Sequence, residues 1–281
     1  MRVLCRLSRV SKSAFYRKMS HPESRRAREN KRLIEVMKEI HVGDKEVYGS
    51  PNMRSELHSL GYFCGHNRVA RLMRENGIVS KVTVRFRSLT KAGKREPLAD
   101  NLLAQKFEIG RPNRVWASDV TYIPTREGFL YLAVVLDLYN RQVVGWGMSS
   151  RLGAELVWDA LRQALDKRDI VEGLMHHSDR DGLYSSGLYQ RLLSENGMIC
   201  SMSRKGNCYD NACLESFFGS LKNEMVAFER FRTREDAALR LFKWIEIFYN
   251  RVRRHSTLGY LSPVDYEREN AQPNKRVPQI G

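Results

Sequence analysis

The sequence VWASDVTYIPTREGFLYLAVVLDLYNRQVVGWGM spans residues 115–148 and indicates three consecutive β-strands. Apolar and polar residues alternate from Val115 to Ile123 and again from Gln142 to Met148, whereas Leu130 to Leu138 is almost wholly apolar. Alternation with a period of two is typical of a half-buried strand, and a short apolar run is typical of a fully buried one. Turn-like residues, Glu127-Gly128 and Asn140-Arg141, separate the segments. The run therefore predicts an antiparallel meander.

Helices alternate with short strands after this meander. The apolar periodicity predicts a helix over residues 154–165, a strand over 174–177, a helix over 187–195 and a strand over 199–202. From Asn211 onward the pattern is mainly helical and includes a long helix that Thr233 opens. The order βββαβαβα is that of an α/β ribonuclease-H-like domain, a mixed five-stranded sheet with helices.

A smaller, all-helical region precedes the strands. Residues 28–80 predict three helices, of which the second begins with Ser50 as N-cap before Pro51. The third runs from about His66 to Asn76 and is closed by Gly77. The polar face of this third helix carries Asn67, Arg68, Arg71 and Arg74. This pattern favours a helix-turn-helix DNA reader, although a plain three-helix bundle with a basic surface would explain it too.

The charge of the chain is large, positive and unevenly placed. The 48 Lys and Arg against 32 Asp and Glu give a net charge of +16, which suits a polyanionic partner such as nucleic acid or an anionic membrane. Residues 1–110 hold 24 basic and 11 acidic side chains, whereas residues 111–281 hold 24 and 21. A solvated basic surface is the alternative interpretation. We expect a basic segment at 1–27 and a basic linker at 81–109 that lies along phosphates.

Other features exclude several classes of protein. The chain has no run of about 18 apolar residues and no secretory signal pattern, so we expect a cytoplasmic protein. Its five cysteines are an odd number without a CxxC pair, which predicts reduced thiols rather than a disulfide framework or a zinc knuckle. His176 and His177 have no second pair at zinc-ligand spacing.

Three carboxylates lie on three different predicted elements and could converge. Asp119 lies inside the first strand, where an unpaired carboxylate is costly to bury. Asp179 directly follows the fourth strand, and Glu215 lies one turn into a helix. Thirty-five residues separate Asp179 from Glu215. Taken alone, Asp119 could instead be satisfied by an arginine or by backbone amides.

Short motifs surround these acids. They are WASDVTY at 116–122, YLAVVLD at 131–137, HSDR at 177–180, SRKGNCYDNA at 203–212, ESFF at 215–218, and the tail motifs YNR at 249–251, RHS at 254–256 and LGY at 258–260 before Ser262-Pro263. Together they resemble the retroviral integrase superfamily and, more closely, the catalytic OrfB transposases of the insertion-sequence-three family. The resemblance covers nearly the whole chain, and the motifs of the catalytic half are highly specific.

The resemblance implies a DDE transposase with Asp119, Asp179 and Glu215 as catalytic and metal-binding residues. Carboxylate oxygens suit Mg²⁺ or Mn²⁺, and two such ions stabilise the attacking and leaving oxygens of a phosphoryl transfer. The enzyme would hydrolyse the phosphodiester at an element end and then use the freed 3′-OH to attack another strand. The family also implies a circular intermediate, an upstream OrfA protein fused to this chain, and a homo-oligomer on DNA.

Several residues have both a functional and a structural interpretation. By resemblance, Lys222 contacts the DNA end, although it could be a solvated surface lysine. The segment 204–210 is interpreted as a mobile loop that positions the scissile phosphate, or as a purely structural loop. Its candidate DNA contacts are Arg204, Lys205 and Asn207. Asp137 is interpreted as a turn or packing residue, and Asp210 as a helix cap.

The expected organisation is a basic segment at 1–27, a helix-turn-helix-like domain at 28–80, a linker at 81–109, a ribonuclease-H-like integrase core at 110–225 and a helical extension at 226–281. Two other functions fit parts of the sequence: a non-catalytic DNA-binding regulator, and a ribonuclease-H-like nuclease without strand transfer. The chain departs from the family after Arg180, where Asp181-Gly182-Leu183 replaces the usual Gly, small residue and Gln before Tyr184. This departure leaves open whether the enzyme is fully active.

Overall fold

The computed structural model describes residues 11–20, 23–82, 99–103, 109–203 and 211–270. The chain divides into two compact units, residues 1–81 and 82–281. Among the described residues, no helix has the length and apolar character needed to cross a membrane.

The first unit is helical. Its described helices are α1 (Lys12–Ser20), α2 (Arg25–Gly43), α3 (Ser50–Ser59) and α4 (His66–Glu75). The last three helices pack around a small apolar core whose centre includes Met37, Met53, Leu57 and Val69, all fully buried. The three helices predicted for residues 28–80 are therefore present, and α4 ends before Gly77, whose φ of +65° favours glycine.

The start of α3 differs from the prediction. Gly49, not Ser50, is the N-cap, and Ser50 is the first helical residue. The hydroxyl of Ser50 lies 3.0 Å from Nε2 of His66 at the start of α4, so this side chain links two helices instead of capping its own. The prediction of a serine cap was wrong because this tertiary partner competes with the local amide groups.

The second unit contains a five-stranded mixed sheet with the order β3-β2-β1-β4-β5. The strands are β1 (Val115–Thr125), β2 (Gly128–Asp137), β3 (Val143–Ser149), β4 (Met175–Ser178) and β5 (Ile199–Met202). The helices are α5 (Ala154–Lys167), α6 (Gly187–Glu195), α7 (Ala212–Glu224), α8 (Arg234–Phe242) and α9 (Pro263–Asn270). A π-helical segment, Lys243–Tyr249, continues α8, and short 3-10 turns lie at Val226–Phe228 and Ser256–Leu258. The ribonuclease-H-like α/β fold predicted from the element order is confirmed.

The predicted meander is also confirmed, because β1 pairs antiparallel with β2, and β2 with β3. The β1–β2 hairpin is longer than predicted and continues to Thr125 opposite Gly128. On the other side, β1 pairs in parallel with the much shorter β4, from Val115 opposite Met175 to Ser118 opposite Ser178. Beyond Ser118, β1 has no β4 partner.

The two faces of the sheet carry different helices. Helices α5 and α6 cover the face of Trp116, Ala133 and Val135, whereas α7, α8 and the π-helical segment cover the face of Ala117, Val134 and Leu136. Gly145 on β3 lets α5 approach closely, because a Cβ at this position would lie 2.1 Å from the carbonyl oxygen of Ala160. The sheet is thus buried on both sides, as expected for strands rich in valine and leucine.

Asp137 and the described cysteines can be compared with the structural roles expected from the sequence. Asp137 is fully buried and accepts hydrogen bonds from the amides of Asn113, at 2.8 Å, and Tyr139, at 2.9 Å. The turn or packing role predicted for Asp137 is confirmed. Among the described residues, Cys64, Cys200 and Cys213 form no disulfide bond.

Candidate active site

The backbone brings Asp119 and Asp179 to one place. Ser118 and Ser178 are the last paired residues of the parallel strands β1 and β4, and the two aspartates directly follow them. Neighbouring strands lie about 4.8 Å apart, so the two residues begin side by side where the strands separate. Both are half-buried.

The electrostatics extend this pair to Glu215 and Lys222. Burial, together with the negative charges of Asp179 and Glu215, raises the pKa of Asp119 to about 7. The backbone amide of Val120, which donates to Oδ1 at 2.7 Å, and the charge of Lys222 act in the opposite direction. Burial also raises the pKa of Asp179. Three acids and one lysine therefore act on the same small region.

Helix α7 presents Glu215 and Lys222 to this region. The helix packs against the sheet through Leu214, Phe217 and Leu221, all of which are buried. Glu215 is exposed and Lys222 is half-buried. Seven residues are about two helical turns, so both side chains project from one face of α7.

A network of buried hydrogen bonds joins the strand residues that lie next to the two aspartates. Nε2 of His176 lies 2.8 Å from both the Ser118 hydroxyl and the Tyr189 hydroxyl. Burial lowers the pKa of His176 to about 3, so its imidazole is neutral and can exchange hydrogen bonds with both. On the next residue, Nδ1 of His177 lies 2.9 Å from the hydroxyl of Ser201 on β5. The network ties β1, β4, β5 and α6 together next to the acids.

The donor set fits a hard divalent cation. Among the described residues, no three His, Cys, Asp or Glu side chains lie close enough to enclose a metal by themselves. Mg²⁺ in phosphoryl-transfer sites is bound through one or two carboxylates, with waters and substrate oxygens completing its octahedron.

The hydroxyl of Tyr184 is a second observation that fits a ligand at this site. This hydroxyl is buried and makes no hydrogen bond within the described residues, and burial together with Asp119 and Asp179 raises its pKa. A polar ligand between the acids would give this hydroxyl a partner.

Comparison with known proteins adds the family. The chain matches the family model "Integrase core domain" over residues 110–208 and a second model of that description over 196–263. Residues 28–86 match the model "HTH-like domain". A 31 kDa protein of insertion element IS600 from Shigella sonnei is 41% identical, and the match covers 96% of this chain and 99% of that protein.

The transposase InsF of insertion sequence IS3A from Escherichia coli K12 is 40% identical over 96% of this chain and 94% of InsF. The chain belongs to the IS3 family of transposases. This transposase is accordingly a DNA-binding polynucleotidyl transferase, as the sequence motifs predict. Among solved structures, the catalytic core of HTLV-2 integrase, determined with magnesium, is 15% identical, has a TM-score of 0.44 and matches 56% of this chain and 98% of that chain.

The residues predicted to contact DNA differ in their exposure and in the side chains that they bind. Arg204, Lys205 and Asn207 lie outside the described residues, as does the predicted cap Asp210; the N-cap of α7 is Asn211. On α4, Asn67 and Arg74 are exposed. Arg68 instead donates to Oδ1 of Asn30 through two nitrogens, at 2.7 and 3.0 Å, and Arg71 pairs with Glu75 at 2.7 Å. Arg68 therefore joins α4 to α2 in this structure.

Sequence reasoning missed one part of the transposase site, the attachment of α7 to the tail. Arg253 binds the buried carboxylate of Glu224 and also the hydroxyl of Ser220, at 3.1 Å, and both of these residues are on α7. The Tyr249 ring packs edge-on against Phe217 on the same helix, with centroids 4.8 Å apart. The tail motif that begins at Tyr249 is the available signal, but the sequence of the motif indicates only the family.

Proposed function

We propose that this transposase cuts the phosphodiester bond at the 3′ end of its element and joins the freed end to another DNA strand, using Asp119, Asp179 and Glu215 as its catalytic and metal-binding residues. The carrying observation is that Asp119 and Asp179 directly follow paired residues on neighbouring strands, with Glu215 acting electrostatically on Asp119. In the first step water attacks phosphorus and the 3′ oxygen leaves as a hydroxyl. In the second step that hydroxyl attacks another phosphorus, and the oxygen of the broken strand leaves.

The carboxylates hold Mg²⁺ or Mn²⁺ in this proposal, as a pair of ions. Bound cations of this kind stabilise negative charge on the attacking and leaving oxygens. The raised pKa of Asp119 supports the assignment, because a carboxylate that is destabilised by burial and by neighbouring acids gains most from a cation. Asp119 and Asp179 would hold the ions, and Glu215 would complete the second site.

The basic residues bind and orient DNA. Lys222 lies on the same helix face as Glu215, and we assign it to a phosphate at the DNA end. We assign Arg204, Lys205 and Asn207 to phosphates around the scissile bond, and the exposed Asn67 and Arg74 of α4 to DNA read by residues 28–80. Phosphate contacts of this kind fix position and supply most of the affinity.

The assembly is also part of the proposal. The transposase would act as a homo-oligomer on DNA and as a fusion with an upstream OrfA protein that recognises the terminal repeats. Residues 110–225 would carry the chemistry, with the linker 81–109 along the DNA backbone and residues 226–281 supporting the core.

The experiment is cleavage and joining of a labelled duplex that carries the element end, by the chain alone and fused to its OrfA, with Mg²⁺ or Mn²⁺. Asp119→Asn, Asp179→Asn and Glu215→Gln should each abolish both products and leave DNA binding in place. Asp159→Asn, a change at an exposed acid on α5, is the matched control and should remain active. Full activity of any one triad variant would refute the assignment. Cleavage without joined strands would instead support a nuclease, and binding without cleavage a regulator.

A further inference from the structure

Three aromatic side chains form a cluster on one face of the β1–β2 hairpin. Tyr122 is opposite Tyr131 in the strand register, and Phe129 is two residues from Tyr131 on β2. The ring centroids of Tyr122 and Phe129 are 4.9 Å apart, and those of Phe129 and Tyr131 are 6.4 Å apart. Tyr122 and Phe129 are 46% and 48% exposed, so about half of each residue remains open to solvent.

The position of this cluster relates it to the acids. Tyr122 lies three residues beyond Asp119 on β1, so the two side chains project from opposite faces of the strand, in the part of β1 that has no β4 partner and is open at that edge. Nζ of Lys222 is 5.6 Å from the centroid of the Tyr122 ring, within the range of a cation–π contact. Lys222 also acts electrostatically on Asp119. One lysine therefore lies between the exposed rings and the acidic region.

The chemistry of the cluster matches one ligand. The planes of the Tyr122 and Phe129 rings are inclined to each other by 55°, so a planar group stacks on the exposed face of one ring and contacts the other, while the nearby ammonium group donates to a phosphate. A nucleotide presents both groups, and stacking of a base on an aromatic ring is tolerant of sequence because every base has a π-face. A base inside a duplex has both faces covered, so only an unpaired or unstacked base can use the rings.

We propose that Tyr122 and Phe129 form a stacking platform for an unpaired nucleobase next to the scissile phosphate at the DNA end. This inference rests on the proposed function, which places the DNA end at Asp119. The ligand class is a frayed DNA end, whose opened base is held on the hairpin while Lys222 holds the phosphate.

The experiment compares two fluorescent duplexes with the element's end sequence, one fully paired and one with mismatches at the terminal base pairs. Dissociation constants are measured with EDTA present, so that no strand is cut. The wild-type chain should bind the mismatched end more tightly. Tyr122→Leu and Phe129→Leu should each lower that preference by about five- to 150-fold, the range for loss of one stacked base.

Two variants separate stacking from other effects. Tyr122→Phe keeps the ring and should keep the preference. Phe242→Leu removes a ring that is 42% exposed on α8 and contacts Trp146 on β3, and it should bind both duplexes like the wild type. A purely structural aromatic pair would lower the unfolding temperature in the leucine variants without changing the ratio of the two dissociation constants.

An equal affinity of the wild type for both duplexes, or an unchanged preference in both leucine variants, would overturn the proposal. Failure of the proposed chemistry is a separate result, because Asp119→Asn tests cleavage and the binding ratio does not depend on it.

Discussion

The guanidinium group of Arg253 contacts both carboxylate oxygens of Glu224, with N–O distances of 2.6, 2.8 and 3.0 Å. The Glu224 side chain is 5% exposed and that of Arg253 is 16% exposed. Because Glu224 is the last residue of α7, this ion pair fixes the end of the helix that carries Glu215 and Lys222.

Removing the arginine should therefore disturb both stability and catalysis. Arg253→Met leaves the Glu224 carboxylate buried without its cation, which costs roughly 3–5 kcal/mol in other proteins. We expect a loss of this order in the free energy of unfolding, measured by urea denaturation, together with a lower rate of strand transfer. The double variant Arg253→Met with Glu224→Gln should recover part of the stability. A loss below about 1 kcal/mol in the single variant would contradict this account.

Asp181 stands where the family usually has glycine, and this difference predicts a slow rate of strand transfer. The amide of Asp181 donates to Oδ1 of Asp179 at 3.0 Å, and its negative charge raises the pKa of Asp179. Asp181 is exposed, and its charge opposes approach of a DNA phosphate. Changing Asp181→Gly together with Leu183→Gln should raise the strand-transfer rate and leave metal affinity nearly unchanged. Asp181→Asn separates the effect of charge from that of backbone freedom, and an unchanged rate in both variants would show that the departure is neutral.

Asp44 predicts a pH-dependent stability of the helical unit. Burial raises its pKa to about 7, against the opposing effect of nearby backbone amides, whereas the ordinary value is 3.8. Between about pH 4 and 7 the folded state retains a proton that the unfolded chain releases, so stability should fall as pH rises through this window. Asp44→Asn should remove that part of the fall, with a gain above pH 7 on the order of 1–4 kcal/mol. The control is Glu46→Gln, at an exposed neighbour, and parallel curves for Asp44→Asn and wild type would disprove the prediction.

The exposed Arg74 and the paired Arg71 should differ in their contribution to DNA binding. Arg71 already pairs with Glu75, while Arg74 is exposed on the same helix. If α4 lies on DNA, Arg74→Ala should reduce the slope of log K against log salt concentration by about 1, the value for one lost phosphate contact. Arg71→Ala should reduce it less, because Arg71 already pairs with Glu75 and neutralises less phosphate charge. Equal slopes for the wild type, Arg74→Ala and Arg71→Ala would show that these arginines of α4 do not contact DNA.

Local pattern explains why much of the fold was predictable. Strand β1, helix α6 and strand β5 lie where period and turn residues placed them, because each buries one face and the sequence repeats with the matching period. Ser50 was misassigned because its partner, His66, is remote in sequence. The π-helical form of Lys243–Tyr249 also escaped prediction, because its apolar spacing reads as an ordinary helix.

The candidate site also combines features that local sequence predicts with features that depend on partners remote in sequence. The proximity of Asp119 and Asp179 could be anticipated, because one lies inside a predicted strand and the other directly follows the end of another. The engagement of Arg68 with Asn30 could not, because a basic side chain on a predicted helix gives no sign of which neighbour it will meet.

The attachment of α7 to Arg253 also has a consequence for synthesis. Translation proceeds from the amino end, so Asp119, Asp179 and Glu215 all leave the ribosome before the arginine that secures their third member. A product that stops between residues 224 and 253 would contain every acid of the motif and lack the residue that fixes the end of α7. An intact acidic motif in a shortened gene copy is therefore no evidence of an assembled enzyme, and interrupted copies should be judged by whether they still encode Arg253.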